Sequence, residues 1–244
     1  LSSGLVARAG DAVDVAVPAV VLVLYGLLKT HGMGPSATDE NIYFYMANAL
    51  AERGAWPYAD YFFAHPPLHV LVPATFFEVF GYSFTLAKQF SAWAGGISLL
   101  AVWAIGRRHL GRVAGAAAMI ALAFAAQWLK STTLMTGVNL TVMFMVLGFC
   151  RSLDEDMIGG GILFGLAAST GFYAAAAICA ALMMGFFRSR DHGIRQLGSF
   201  LGVFVTINLI FWALAGDAFW QGVYRYHSLK PLQNPEMLRV FGGE

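Results

Sequence analysis

The chain has 244 residues, of which 58% are hydrophobic and only 12% charged, and its formal net charge at pH 7 is +1. A soluble domain of this length needs more polar surface, so the composition selects a membrane protein, and the near-neutral balance gives no footing for a nucleic-acid partner. Cys150 and Cys179 lie in apolar runs without ligand spacing and read as packing residues rather than a metal or redox pair.

The chain opens on Leu1 rather than Met, so its natural start is expected to lie upstream. Nothing before the first apolar run resembles a cleavable signal, and residues 12–28 read as an anchor. Length and flanking charge predict seven spans, at roughly 12–30, 83–106, 112–130, 133–151, 158–172, 173–187 and 196–216. The thirty residues 158–187 also suit one tilted helix, but that would turn Arg188, Arg190 and Arg195 outward. A break near Ser169-Thr170-Gly171 returns them to the side of Arg107, Arg108 and Arg112, which the positive-inside rule makes cytoplasmic. The expected architecture is therefore an all-α polytopic transmembrane bundle, a single module over residues 1–244 without repeat or linker.

Residues 38–81 are the longest stretch that does not read as a span. Asp39-Glu40 opens an amphipathic helix with Thr38 as a candidate N-cap and with Ile42, Met46, Ala49 and Leu50 on one face. It ends at Arg53-Gly54, and at about 1.5 Å per residue it is too short to cross a core of about 30 Å, so it is expected to lie along the interface. An extended aromatic segment, Pro57 to Phe63, follows. His65-Pro66-Pro67-Leu68 then forces an irregular backbone, and a second short apolar helix closes at Gly81. The terminal stretch 217–244 is polar and aromatic and is placed outside.

The order Asp39-Glu40, Tyr43, Ala47, Gly54, Pro57-Tyr58-Ala59-Asp60 and His65-Pro66-Pro67-Leu68 resembles the first outward loop of the C-type (GT-C) membrane glycosyltransferases, the protein O-mannosyltransferase and aminoarabinose-transferase-like group. Tyr226-His227-Ser228-Leu229-Lys230-Pro231 is similar to the segment after their seventh helix. The resemblance implies transfer of a sugar from a polyprenyl-phosphate carrier to an acceptor at the outer face, in a bacterial inner membrane with the first loop outside the cytoplasm. It implies no cofactor. A lipid phosphate is already a competent leaving group, so one carboxylate suffices as base.

Asp39 is the expected base, and Glu40 either orients it or pairs with a nearby cation. Acidic residues in a first helical turn also suit the helix dipole, so position alone favours a structural role. His65 stands where relatives carry Lys or His to meet the carrier phosphate. His69 shares its face, but two histidines without a third ligand make no metal site. Asp60 either holds the turn or binds sugar, and Tyr58, Tyr61 and Trp56 either stack on sugar or belong to an interfacial aromatic belt. Arg225 and Lys230 fit a carrier phosphate and membrane lipid head groups equally well. The sequon Asn139-Leu140-Thr141 begins a span and reads as accidental.

Two departures from the group stand out. Thr136-Gly137-Val138-Asn139 replaces a second acid, so no metal is expected. Gly165 to Thr170 is followed by Gly171 where many relatives place a lysine, and the outer domain common among them does not follow. A second reading therefore stands beside the enzyme: a shortened, non-catalytic module acting as a scaffold for partner membrane subunits. No predicted span centre carries a charge or a histidine, which argues against an ion path or a haem protein.

Overall fold

A computed structural model describes residues 2–31, 33–34, 39–134 and 137–229, with side chains from 14 to 228. These residues are all-helical, and among them the nearest thing to a strand is an isolated bridge between Pro57 and Tyr61. Helix α1 (Ser2–Thr30) is followed by two helices in the loop region, α2 (Glu40–Arg53) and α3 (Leu68–Phe80). The bundle continues with α4 (Phe84–Leu110), α5 (Arg112–Ala123), α6 (Ala126–Ser131), α7 (Gly137–Leu153) and α8 (Met157–Ala168). A 3₁₀ turn (Phe172–Ala174) leads into α9 (Ala175–Arg188) and α10 (Arg190–Ala215). The described chain ends in α11 (Asp217–Trp220), a π-helical stretch (Gln221–Arg225) and α12 (Tyr226–Leu229).

Helix limits follow local chemistry. Ser83 caps α4, Asp156 caps α8 and Ser189 caps α10, each accepting a backbone N–H three residues on. Gly54 adopts left-handed φ 63° and closes α2 by donating to the last-turn carbonyls. The run 158–187 is broken at Ser169–Gly171, where Gly171 is extended. The expected third span is interrupted at Phe124–Ala125, which separates α5 from α6. Helices approach closely where side chains are absent: a Cβ on Gly161 would lie 2.3 Å from the Gln196 carbonyl, and one on Gly106 would lie 2.7 Å from the Gly115 Cα.

The arginine-bearing turns gather at one end of the bundle. Arg107 and Arg112 both pair with Asp14, at 2.7 and 3.0 Å. Arg108 pairs with Asp154, and Arg188 donates to the Ser152 carbonyl at 3.0 Å. The α4/α5, α7/α8 and α9/α10 turns are thereby tied to one another and to α1. The opposite end holds a core of its own, in which Phe44, Tyr58, Phe63, Val70 and Phe77 pack with Phe211, Phe219 and Val223.

Among the described residues two helices, α4 and α10, are long and apolar enough to cross a membrane. Only 6% of the apolar window of α10 is buried, and Trp212 and Leu214 are more than half exposed. A surface that apolar is stable against hydrocarbon rather than water, and the chain is an integral membrane protein.

Two expectations for the loop are corrected. Of the expected inward face of α2, Ala49 is buried and Met46 and Leu50 pack against the core, but Ile42 is 51% exposed, and Glu40, Phe44 and Ala47 complete the inward side. A buried ion pair made by Glu40 sets the helix rotation and turns Ile42 out. The segment after Pro57 is a closed turn rather than extended. Trp56 N donates to Asp60 Oδ2 at 2.7 Å and Asp60 N donates to the Trp56 carbonyl at 3.0 Å, and this pair of bonds folds the chain back.

Candidate functional site

The site is assembled at the end opposite the arginines, from α2, the 54–67 loop, the Ser169–Gly171 break and the α11–α12 segment. Tyr58 sits at φ 69°, an unfavourable backbone for a residue with a Cβ. Its buried ring compensates, packing edge-on against Phe219 at 5.0 Å and Phe211 at 5.9 Å. Its hydroxyl donates to the His65 carbonyl at 2.5 Å and so holds the loop from beneath. Burial raises the Tyr58 pKa, the nearby Tyr61 and Tyr224 adding to the shift, and the group stays a hydrogen-bond donor.

Pro66 and Pro67 then start α3, and Leu68 N donates to the Ser169 carbonyl at 3.0 Å. The break between α8 and α9 thus presents a carbonyl to which the Pro-Pro turn is fastened. One residue on, His69 is 2% exposed and its Nε2 accepts from Gly137 N, the first residue of α7, at 3.0 Å. Burial first, and the neighbouring His65 second, lower the His69 pKa to about 3, so its ring is neutral. A Cβ on Gly137 would lie 2.2 Å from that ring, so glycine is required there.

His65 lies flat against this neutral ring. Its Nε2 is 2.8 Å from the Tyr43 hydroxyl, and its Nδ1 makes a long contact of 3.5 Å with the Tyr173 hydroxyl. His227 stands 5.9 Å away, ring to ring, and is anchored by a 2.5 Å bond between its Nε2 and the Ala64 carbonyl. His65, Pro66, Phe172, Tyr173 and His227 line a cavity of about 320 Å³.

Asp39 is exposed and immediately precedes α2, its carbonyl accepting from Ile42 N and Tyr43 N. Its charge reaches Tyr43, whose pKa is pushed up to about 12 by burial first, then by Tyr173 and by Asp39. Tyr43, one helical turn after Asp39, is the residue that bonds His65 and feels the Asp39 charge. Glu40 points the other way. Fully buried, it pairs with Lys88 of α4 at 3.2 Å, and Lys88 is itself only 1% exposed.

The remaining sequence candidates fall elsewhere. Asp60 holds its own turn and borders a separate cavity of about 300 Å³ with Tyr58, Tyr61 and Gln221. Arg225 is exposed at the end of the π-helical stretch. Thr38, Thr136 and Lys230 lie outside the described residues. Asn139 is 3% exposed, and its amide donates to Ser91 Oγ and to the carbonyls of Ser131 and Leu134, so the sequon is a loop organiser. Among the described residues no group of three His, Cys, Asp or Glu side chains is placed to hold a metal ion.

Lys88 and Tyr173 escaped the sequence reading. Lys88 carried a signal, a lone cation in the first turns of an apolar run, one turn from where α2 must land. Tyr173 did not, because its role depends on the break that turns it toward His65.

A family model described as dolichyl-phosphate-mannose-protein mannosyltransferase matches residues 64–215, well over half the chain. His65 and the Pro-Pro turn lie within the match, and Asp39, Glu40, Tyr58 and Asp60 precede it. No curated protein and no solved structure matches the chain.

Proposed function

The chain belongs to the dolichyl-phosphate-mannose-protein mannosyltransferase family, membrane glycosyltransferases of GT-C type, and on that premise we propose that it transfers a sugar from a polyprenyl-phosphate carrier by direct, inverting displacement. The observation that carries this reading is the hydrogen bond from His65 to Tyr43, one helical turn from Asp39, at a cavity that His227 and Tyr173 complete. The acceptor hydroxyl attacks the anomeric carbon and gives its proton to the Asp39 carboxylate. The bond from that carbon to the phosphate oxygen breaks, and the lipid phosphate leaves with the electron pair.

His65 is the group that meets this phosphate. When protonated it carries N–H on both ring nitrogens, one held by Tyr43 and the other on the Tyr173 side, toward the cavity. Its stacking partner His69 is neutral, so charging His65 brings no like-charge repulsion from below. Tyr58 acts by fixing the His65 carbonyl, Asp60 by closing the turn before it, and the Glu40–Lys88 pair by locking α2 against α4 so that Asp39 faces outward. Arg225 and Lys230 are assigned to carrier or membrane head groups.

The carrier's hydrocarbon chain has a place to lie. Phe204, Leu209, Trp212, Phe219, Trp220 and Tyr224 line a groove of about 510 Å³ along the lipid-facing α10. Tyr224 touches Phe172 with ring centroids 5.7 Å apart, and Phe172 lines the His65 cavity, so groove and phosphate pocket are one ring apart.

The reading takes seven helical passes, with the arginine end cytoplasmic by the positive-inside rule and the first loop outside, and a bacterial inner membrane as the resemblance implies. Purified protein given a polyprenyl-phosphate sugar and a hydroxyl acceptor should release polyprenyl phosphate and form the inverted glycoside. Folded protein that neither binds that lipid nor transfers its sugar would overturn the reading. The scaffold alternative draws on Gly171, which stands where the resemblance implies a lysine in many members, and where a Cβ would lie 2.7 Å from the Tyr173 ring. Stoichiometric membrane partners copurifying with inactive protein would select it.

A further inference from the structure

A second pocket lies at the arginine end, far from the loop. Phe149 and Ser152 of α7, Met157 of α8, Ala181, Met184, Gly185, Phe187 and Arg188 of α9, and Gln196 of α10 enclose about 290 Å³. Its walls are apolar, and Phe187 is 86% exposed beside it. Besides Ser152, two polar side chains break that apolar lining.

The first is Gln196. It is wholly buried, its Nε2 donates to Ser152 Oγ at 2.7 Å, and Ser152 in turn donates to the Gly148 carbonyl at 2.9 Å. That chain of bonds fixes the amide's orientation, so Oε1 is the atom left over, and among the described residues it has no donor. A buried acceptor left unpaired is destabilising, so a donor brought to it is favoured. Oε1 is turned toward Gly185, where a Cβ would lie 2.3 Å from it, so only a glycine keeps that approach open.

The second is Arg188, at the rim. One guanidinium N–H bonds the Ser152 carbonyl, and among the described residues no carboxylate pairs with it. Its neighbours differ: Arg151 pairs with Asp156 at 3.0 Å and Arg195 with Asp191 at 2.8 Å.

An unpaired cation over an apolar pocket, with an unmet acceptor at its floor, matches one ligand chemistry. We propose that this pocket binds a single anionic glycerophospholipid with a hydroxylated head group, of the phosphatidylglycerol class, from the leaflet at the arginine end. The phosphate accepts from the Arg188 guanidinium, a head-group hydroxyl donates to Gln196 Oε1, and an acyl chain covers Phe149, Met157 and Met184. Phosphatidylcholine offers the same chains and phosphate but neither net negative charge nor a head-group donor.

The test uses the full chain in phosphatidylcholine nanodiscs, with and without phosphatidylglycerol, read by native mass spectrometry and by the unfolding midpoint. Wild-type protein should retain one phosphatidylglycerol and gain about 5–10 °C, the shift expected of a site filled well above its Kd. Arg188→Gln, an exposed change that leaves the fold intact, should lose retention at least tenfold, as should Ala181→Leu, which fills the pocket. Arg195→Gln, which alters an arginine already paired with Asp191, should behave as wild type. Equal retention in Arg188→Gln, or equal retention of phosphatidylcholine by wild type, would overturn the proposal.

Discussion

His65 and His69 are stacked with ring centroids 4.6 Å apart and planes 24° apart, yet only His65 reaches the cavity. Burial holds the His69 pKa down from 6.5 to about 3, and the sign of its effect on stability follows. Above pH 6.5 the ring is neutral in both folded and unfolded chains. Below it the unfolded chain takes up a proton that the folded chain refuses until about pH 3, so stability falls by up to a few kcal/mol across that window. The unfolding midpoint in detergent should therefore drop more steeply between pH 6.5 and 4 for wild type than for His69→Gln, which keeps an acceptor for Gly137 N–H. Parallel profiles would contradict a neutral His69.

The Glu40–Lys88 pair predicts a large, coupled effect. Glu40→Gln removes the carboxylate that faces a buried ammonium group, a change that costs about 3–5 kcal/mol. Lys88→Met removes the cation that faces the buried carboxylate and should cost a similar amount, while the double variant should recover most of the loss. Midpoints from thermal unfolding give the cycle directly, and additive single effects would show that the two groups do not interact.

Gly222 tests how the terminal segment docks. A Cβ there would fall 2.4 Å from the Phe63 carbonyl, a backbone atom with little room to move. Gly222→Ala should cost about 1–3 kcal/mol, as overpacking does, and should displace His227 from Ala64, lowering activity as well. Gly198→Ala, which meets nothing within 4 Å in the middle of α10, should be neutral or stabilising.

The proposed seven-pass topology is open to labelling once Cys150 and Cys179 are replaced. A cysteine introduced at position 60 should react from outside, and one at position 192 only from the cytoplasmic side. Reaction of both from the same side would defeat the topology and the placement of the site with it.

Much of this architecture was legible in the sequence because it is written in local signals. Gly54 ended α2, the two prolines started α3 and the arginine spacing required a break near Ser169, each through backbone or charge rules that act within a few residues. What escaped was long-range. Ile42 suits an inward face by pattern, but the helix rotation is set by Lys88, forty-eight positions away from Glu40. The fold-back at Trp56–Tyr61 depends on which of two partners Asp60 takes, a choice that composition does not decide. Tyr173 and His227 reach His65 only through the packing of three separate segments.

In the proposed reaction Asp39 accepts the proton and His65 meets the phosphate, and one comparison separates the two roles. Sugar transfer from a polyprenyl-phosphate donor, with carrier binding measured in parallel, is followed for wild type, Asp39→Asn and His65→Ala. Asp39→Asn keeps the shape and removes the charge, so turnover should fall by about 10²–10⁴-fold while carrier binding survives. His65→Ala should weaken carrier binding, because a charge-assisted hydrogen bond is lost. An Asp39→Asn variant as active as its parent would contradict the account.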